Sequence, residues 1–207
     1  VLFFIPKKSP IIVFGVSRRS KKNDVWIDQH TDYLIKYLPK NTLFIEENFN
    51  HKHYHPQPKA RRINWDFVTY SSSIFSKLFS RFLTLSREGK KNVININKLI
   101  NTFDEKLLKY VILYSKISTF LTRIFIKVKG VKVCILVPAY GKESLIEAFK
   151  SENIKVIELQ HGSITPKHYG YAYPPQFPKK NAPDILFSYG SYWKKIIEKY
   201  MVSTEII

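Results

Sequence analysis

Short runs of apolar residues closed by glycine, proline or a polar cluster recur along the chain, and between them apolar positions return every three or four residues. Runs of the first kind read as buried strands. They lie at 11–16 (IIVFGV), 42–46 (TLFIE), 63–70 (INWDFVTY), 131–138 (VKVCILVP), 154–159 (IKVIEL) and 184–188 (DILFS). The second kind predicts helices. Residues 28–38 place Tyr33, Leu34, Tyr37 and Leu38 on one face ahead of Pro39. Residues 71–85 carry a stripe of Ile74, Phe75, Leu78, Phe79, Phe82 and Leu83, with Lys77 and Arg81 off it and Ser71 to Ser73 placed to cap it. That stripe predicts a core-facing helix; its basic flank also permits a membrane-surface reading. Residues 98–129 read as two helices stopped by Gly130, and 144–151 and 192–201 as one helix each. The polar stretch 87–97 (REGKKNVININ) reads as a break and as the best internal boundary.

Strands alternating with helices predict a mostly parallel α/β sheet flanked by helices. The chain reads as a single domain over 1–207 with a helical insertion over 71–129. Its 207 residues, 44% hydrophobic and 15% aromatic, can bury a core and exclude global disorder. The apolar opening from Val1 leads us to expect a piece of a longer protein.

Charge narrows the partners. Thirty-four Lys and Arg against sixteen Asp and Glu give +18, which favours anionic partners: nucleic acid, an anionic membrane face, or phosphorylated and acidic glycans. An AT-rich coding sequence gives the same Lys, Ile and Asn excess. Cys134 is the single cysteine and sits in an apolar run, so no intramolecular disulfide forms, which suits a reducing compartment. The nearest approach to a membrane span, 107–126, carries Lys109, Lys116 and Arg123 and falls short of one.

Candidate chemistry gathers after the 154–159 strand. In open α/β sheets, ligands bind beyond the carboxyl ends of strands, and there the chain reads Gln160-His161-Gly162. Gly162 would supply a positive-φ turn or room for a substrate. His161 has the pKa range of a general base or phosphate ligand. Glu158, three residues earlier, is the weaker base candidate. Lys167 and His168 could meet phosphate, and Tyr169, Tyr171 and Tyr173 could stack on sugar faces. His51, His53 and His55 alternate along an extended segment and could hold Zn²⁺, although Pro56 and Pro58 mark a loop and no cysteine lies near. The basic loop 17–22 reads as a solvated surface, or as a site for an anion.

Glu158-Leu159-Gln160-His161-Gly162-Ser163-Ile164, then His168-Tyr169-Gly170-Tyr171, Pro183-Asp184 and Tyr189-Gly190, resembles bacterial surface-polysaccharide glycosyltransferases of the GT-B type, which build capsule or lipopolysaccharide. The His-Gly pair also looks like the loop of the wall teichoic acid polyglycerol-phosphate polymerases, where such a histidine takes part in catalysis. The resemblance is densest over 131–193. It implies a Rossmann-like domain, the acceptor-side half of a GT-B architecture, with a nucleotide-sugar-binding domain beyond 207, so that this piece alone would not turn over. The implied catalytic residues are His161 and Glu158. The implied substrate-binding residues are Gln160, Gly162, Ser163, Lys167, His168, Tyr169 and Tyr171. The nucleotide sugar is the donor substrate rather than a cofactor, and the acceptor is a glycan or lipid-linked glycan. The expected location is the cytoplasm, with peripheral attachment to the inner membrane face. The chain shows no clear Asp-x-Asp pair, which favours a metal-independent mechanism.

Two other classes compete. A nucleic-acid module would use the +18 charge, but helix-turn-helix, zinc-finger and RNA-recognition signatures are missing and the basic residues are spread. A peripheral membrane scaffold would use the helices at 71–85 and 98–129.

Overall fold

The structure, a computed structural model, describes residues 7–16, 19–50, 52–54, 60–100, 104–168, 170–173, 180–201 and 204–207, with backbone only at 99 and 100. Seven parallel strands form one sheet: β1 (Ile11–Phe14), β4 (Leu43–Glu46), β5 (Arg62–Asn64), β6 (Val133–Leu136), β7 (Lys155–Leu159), β8 (Ile185–Phe187) and β9 (Glu205–Ile206). Their spatial order is β5-β4-β1-β6-β7-β8-β9. This is the α/β, Rossmann-like fold. The chain winds outward from β1 to β5, returns to lay β6 beside β1, then winds outward the other way. Connections from β1 and β6 therefore diverge, which opens a crevice at the carboxyl ends of those two strands.

The apolar runs become strands because both faces of the sheet are covered, so most positions are apolar, and the buried exceptions, Glu46 and Glu158, are hydrogen-bonded. Ile12 and Phe14 point to one face and Val13 to the other, and all three are fully buried. On the first face, alternate residues of β1, β4, β6 and β7 pack with Trp65, Phe125, Ile146 and Phe149 in the main core. Trp65 stands edge-on to both Phe14 and Phe125, at 5.0 and 5.1 Å between centroids. Three helices cover this face: α1 (Asp66–Phe79) and α3 (Glu105–Lys129), which pack on each other, and α4 (Glu143–Ser151). The second face gathers Val13, Phe44 and Ile135, with Ile35 and Leu38 against them. A third cluster holds Ile164, Tyr171, Leu186 and Ile197 under α5 (Ser191–Ile197).

Several expectations are corrected. Residues 87–97 are no break: they belong to helix α2 (Arg87–Ile100). Ser86 starts that helix by accepting the Gly89 N–H at 3.1 Å, and Val93 is buried beneath it. The helix expected at 28–38 shrinks to a 3-10 turn, Asp32–Lys36, with Tyr33 and Tyr37 exposed. Carboxylates decide this, because Asp28 accepts from the backbone of His30 and Thr31 while the Asp28 N–H donates to Asp32. The strand expected over 63–70 ends at Asn64, and α1 begins at Asp66, so Ser71 to Ser73 lie inside the helix and cap nothing. The apolar stripe of that helix faces outward; Ile74, Phe75, Leu78, Phe79 and Phe82 are all exposed.

In the described part of the basic loop 17–22, Lys21 and Lys22 are exposed, as a solvated surface requires, and the correction concerns Arg19 alone. Ser20–Lys22 (β2) pairs antiparallel with Val25–Ile27 (β3) across Asn23 and Asp24, both at positive φ. Arg19 is buried there and not solvated. Gly130 ends α3 as expected, in the left-handed conformation at φ 61°.

Candidate active site

His161 stands just past β7, after Gln160, at the carboxyl edge of the sheet. Three elements converge on it. Tyr140, from the turn after β6, places its hydroxyl 3.1 Å from Nε2, and Tyr171, from the loop after β7, places its hydroxyl 3.3 Å from Nδ1. His30, from the loop after β3, stands edge-on with 6.3 Å between ring centroids.

Hydrogen bonding sets the tautomer. The Tyr171 hydroxyl donates to the carboxylate of Glu158, which is fully buried and also accepts the Ala139 N–H at 2.8 Å. Burial and then the Glu158 charge push the Tyr171 phenol far above its ordinary pKa, so it keeps its proton. A phenol has one proton to give, so toward His161 it only accepts. Nδ1 of His161 therefore carries the hydrogen and Nε2 holds the lone pair, toward which the Tyr140 hydroxyl donates. Burial, reinforced by His30 and His168, lowers the His161 pKa below 6.5, which keeps the ring neutral at neutral pH. The arrangement Glu158, Tyr171, His161 thus presents an oriented, uncharged imidazole with an unprotonated Nε2.

A cleft of about 430 Å³ opens beside this ring, lined by Val16, Arg19, Ser20, Ile27, His30 and His161. It runs from the loop after β1 to the loop after β7, across the crevice between β1 and β6. Its volume lies in the range of small-ligand sites. One wall is fixed by a buried ion network. Arg19 joins Asp28 (2.8 Å) to Glu46, and Arg62 joins Glu46 to Asp32 (3.0 Å). Burial pulls the Asp28 carboxyl upward, but the Thr31 hydroxyl, Arg19 and the His30 N–H outweigh it and hold the pKa below the ordinary value. For Asp32 burial prevails and the pKa is raised. Gly15 is required here, since a Cβ would meet Asp28 Oδ2 at 2.2 Å. Lys142 pairs with Glu47 and lies 5.7 Å over the Phe14 ring, joining the turns after β4 and β6.

The structure places the sequence-nominated residues unequally. Glu158, His161, His168 and Tyr171 come together with Tyr140. His168 accepts the Gly170 N–H at Nδ1, 3.1 Å, and its ring packs on Tyr140 and Tyr171. Gln160 is buried and ties loops, giving its amide N–H to the Gly162 carbonyl (2.8 Å) and accepting the Tyr189 N–H (2.7 Å). Ser163 and Lys167 are exposed on the same loop, and Tyr169 lies outside the described residues. Gly162 has no positive φ and has open space where a Cβ would stand, so the backbone turn expected of it is not needed. The tight glycine is Gly170, whose Cβ would strike the Tyr140 ring at 2.6 Å.

Of the three alternating histidines, His51 and His55 lie outside the described residues, and His53 pairs with Asp66 at 2.7 Å. No cluster of three His, Cys, Asp or Glu able to hold a metal occurs among the described residues. Among them, too, no helix is long and apolar enough to cross a membrane.

Sequence reasoning missed Tyr140, His30 and Arg19. Tyr140 was within reach, because it follows an evident buried strand and the same strand-end rule that picks out His161 picks it out too. His30 and Arg19 had no such signal. Comparison of the chain with protein-family models, with curated proteins and with solved structures returned no match.

Proposed function

We propose that this chain is the acceptor-side domain of a glycosyltransferase that moves a sugar from a nucleotide-sugar donor to a glycan or lipid-linked acceptor in bacterial surface-polysaccharide synthesis. The observation that carries the reading is His161, held between the Tyr171 and Tyr140 hydroxyls on the wall of a cleft at the crevice of a Rossmann-like sheet. The residue pattern around His161 and its resemblance to polysaccharide glycosyltransferases support it.

Glycosyl transfer needs a base for the acceptor hydroxyl, and an uncharged imidazole with a fixed tautomer suits that task. The acceptor O–H reaches Nε2 by exchanging with the Tyr140 hydroxyl or through it. His161 takes the proton, the oxygen attacks the anomeric carbon, and the nucleotide leaves with the electron pair of the broken C–O bond. Glu158 and Tyr171 act as positioning residues, because the buried carboxylate touches the ring only through the phenol. The proposed location is the cytoplasm, where nucleotide sugars are available.

The test is transfer by the natural full-length protein from a panel of nucleotide sugars to a lipid-linked glycan, for wild type and His161→Ala. Transfer of one sugar, lowered about 100-fold or more in a folded His161→Ala variant, is the expected result for a lost general base. Absence of donor consumption, or full activity in the variant, overturns the reading.

A further inference from the structure

Helix α1 and the turn after it are built inside out for a helix in water. Tyr70, Ile74, Leu78 and Phe82 follow one another at spacings of four residues along one side, with Phe75 and Phe79 stacked beside them at 6.1 Å. These six side chains are between 47 and 67% exposed. The buried positions of the same segment include Ser72, Ser76 and Ser80, and its partner helix α3 buries Ser118 and Thr122. The hydroxyls of Ser72, Ser76 and Thr122 have no hydrogen-bond partner among the described residues.

Burying a Phe, Leu or Ile side chain stabilises by about 1.5–3 kcal/mol, so water alone would favour the opposite orientation. Close packing through small residues, with large apolar ones turned outward, is the arrangement found where the surroundings are themselves apolar. Charge then selects the occupant. From 67 to 86 the only charged residues are Lys77 and Arg81, both exposed cations, and the Arg81 guanidinium lies 4.7 Å over the Phe82 ring. A second copy packed face to face on this ridge would bring these cations toward one another, with no acid between 67 and 86 to answer them. An apolar ridge flanked by cations complements a bilayer surface with anionic headgroups.

We propose that the outward face of residues 70–82 is a docking surface for anionic phospholipid bilayers: the aromatic and aliphatic ridge enters the interface, and Lys77 and Arg81 meet the phosphates. The helix lies on the membrane and does not cross it. This inference stands apart from the role of His161, and its test does not read activity.

The natural full-length protein would be sedimented with phosphatidylcholine vesicles and with phosphatidylcholine vesicles containing phosphatidylglycerol. Wild type should partition onto the anionic vesicles, more weakly as salt rises. The double variant Phe79→Ser with Phe82→Ser should lose about tenfold or more of that partitioning, with circular dichroism unchanged because both rings are exposed. Lys77→Glu with Arg81→Glu should lose about tenfold on the anionic vesicles, from the two headgroup attractions removed. Failure of wild type to bind either vesicle overturns the proposal, as does undiminished binding by the serine variant. A dimer that the serine variant dissociates, without vesicle binding by wild type, would assign the face to self-association.

Discussion

The hydroxyl of Tyr171 lies 3.3 Å from Nδ1 of His161, and since it donates to Glu158 it can only accept from that ring. One phenol thus transmits the position of a buried carboxylate to an imidazole at the cleft. Tyr171→Phe keeps the aromatic packing and removes this contact. The expected result is a mixture of His161 tautomers, seen in imidazole nitrogen shifts, with transfer lowered about tenfold or more while acceptor KM changes little. Stability should fall by about 1–3 kcal/mol, because the buried Glu158 carboxylate loses a donor. An unchanged tautomer ratio would show that Tyr171 does not position the ring.

Protonation of His161 should cost stability. Burial first, and then His30 and His168, lower its pKa below 6.5, so the unfolded chain binds the proton more readily than the folded one. Its contribution is therefore full above pH 6.5 and is lost as the pH falls through that value toward the lower folded pKa. Denaturant unfolding over a pH series should show this slope in wild type and a flatter one in His161→Gln. The transfer rate should fall over the same acid limb.

The ion network predicts a large effect far from the proposed chemistry. Asp28 accepts from Val16, Arg19, His30 and Thr31, so Asp28→Ala leaves the Arg19 guanidinium buried beside a single carboxylate, Glu46. A loss of about 3–5 kcal/mol is expected in chemical denaturation. A loss under about 0.5 kcal/mol, the range of ordinary surface substitutions, would mean that the network does not hold the cleft wall.

Two glycines of one loop, Gly162 and Gly170, should behave oppositely. Gly170→Ala drives a Cβ into the Tyr140 ring and should destabilise by about 1–3 kcal/mol, moving the ring away from His161. Gly162→Ala meets nothing within 4 Å and should leave stability within about 0.5 kcal/mol. A drop in transfer by the folded Gly162→Ala variant would then report a substrate that approaches the backbone there. Thermal denaturation separates the two cases.

Exposure and burial along the helices can be checked in the same way. Phe125→Ala, within the core, should cost about 3–5 kcal/mol, whereas Phe82→Ser, at 67% exposure, should leave stability nearly unchanged. A large loss at Phe82 would show that the ridge is packed against the protein.

The strands at 11–14, 133–136 and 155–159 were legible from local pattern, because a strand covered on both faces is apolar at most positions, and glycine, proline or a polar turn marks its end. His161 was legible for a related reason: once its strand is recognised, the carboxyl end is where an open α/β sheet binds ligands. What surrounds His161 was not. Tyr140 is 21 residues away and Tyr171 is 10, and nothing local says that both phenols meet one ring, or that Glu158 serves it from beneath. Arg19 reads as part of a basic loop until Asp28 and Glu46 close on it. The stripe on α1 shows the limit most plainly. Helical periodicity reveals that apolar residues share a face, but its sign, inward or outward, depends on what packs across from it, and that is a property of the assembled fold. Hydrophobic period is a local quantity; the direction of a face and the pairing of buried charges are pairwise quantities between distant residues, so only the tertiary structure could decide them.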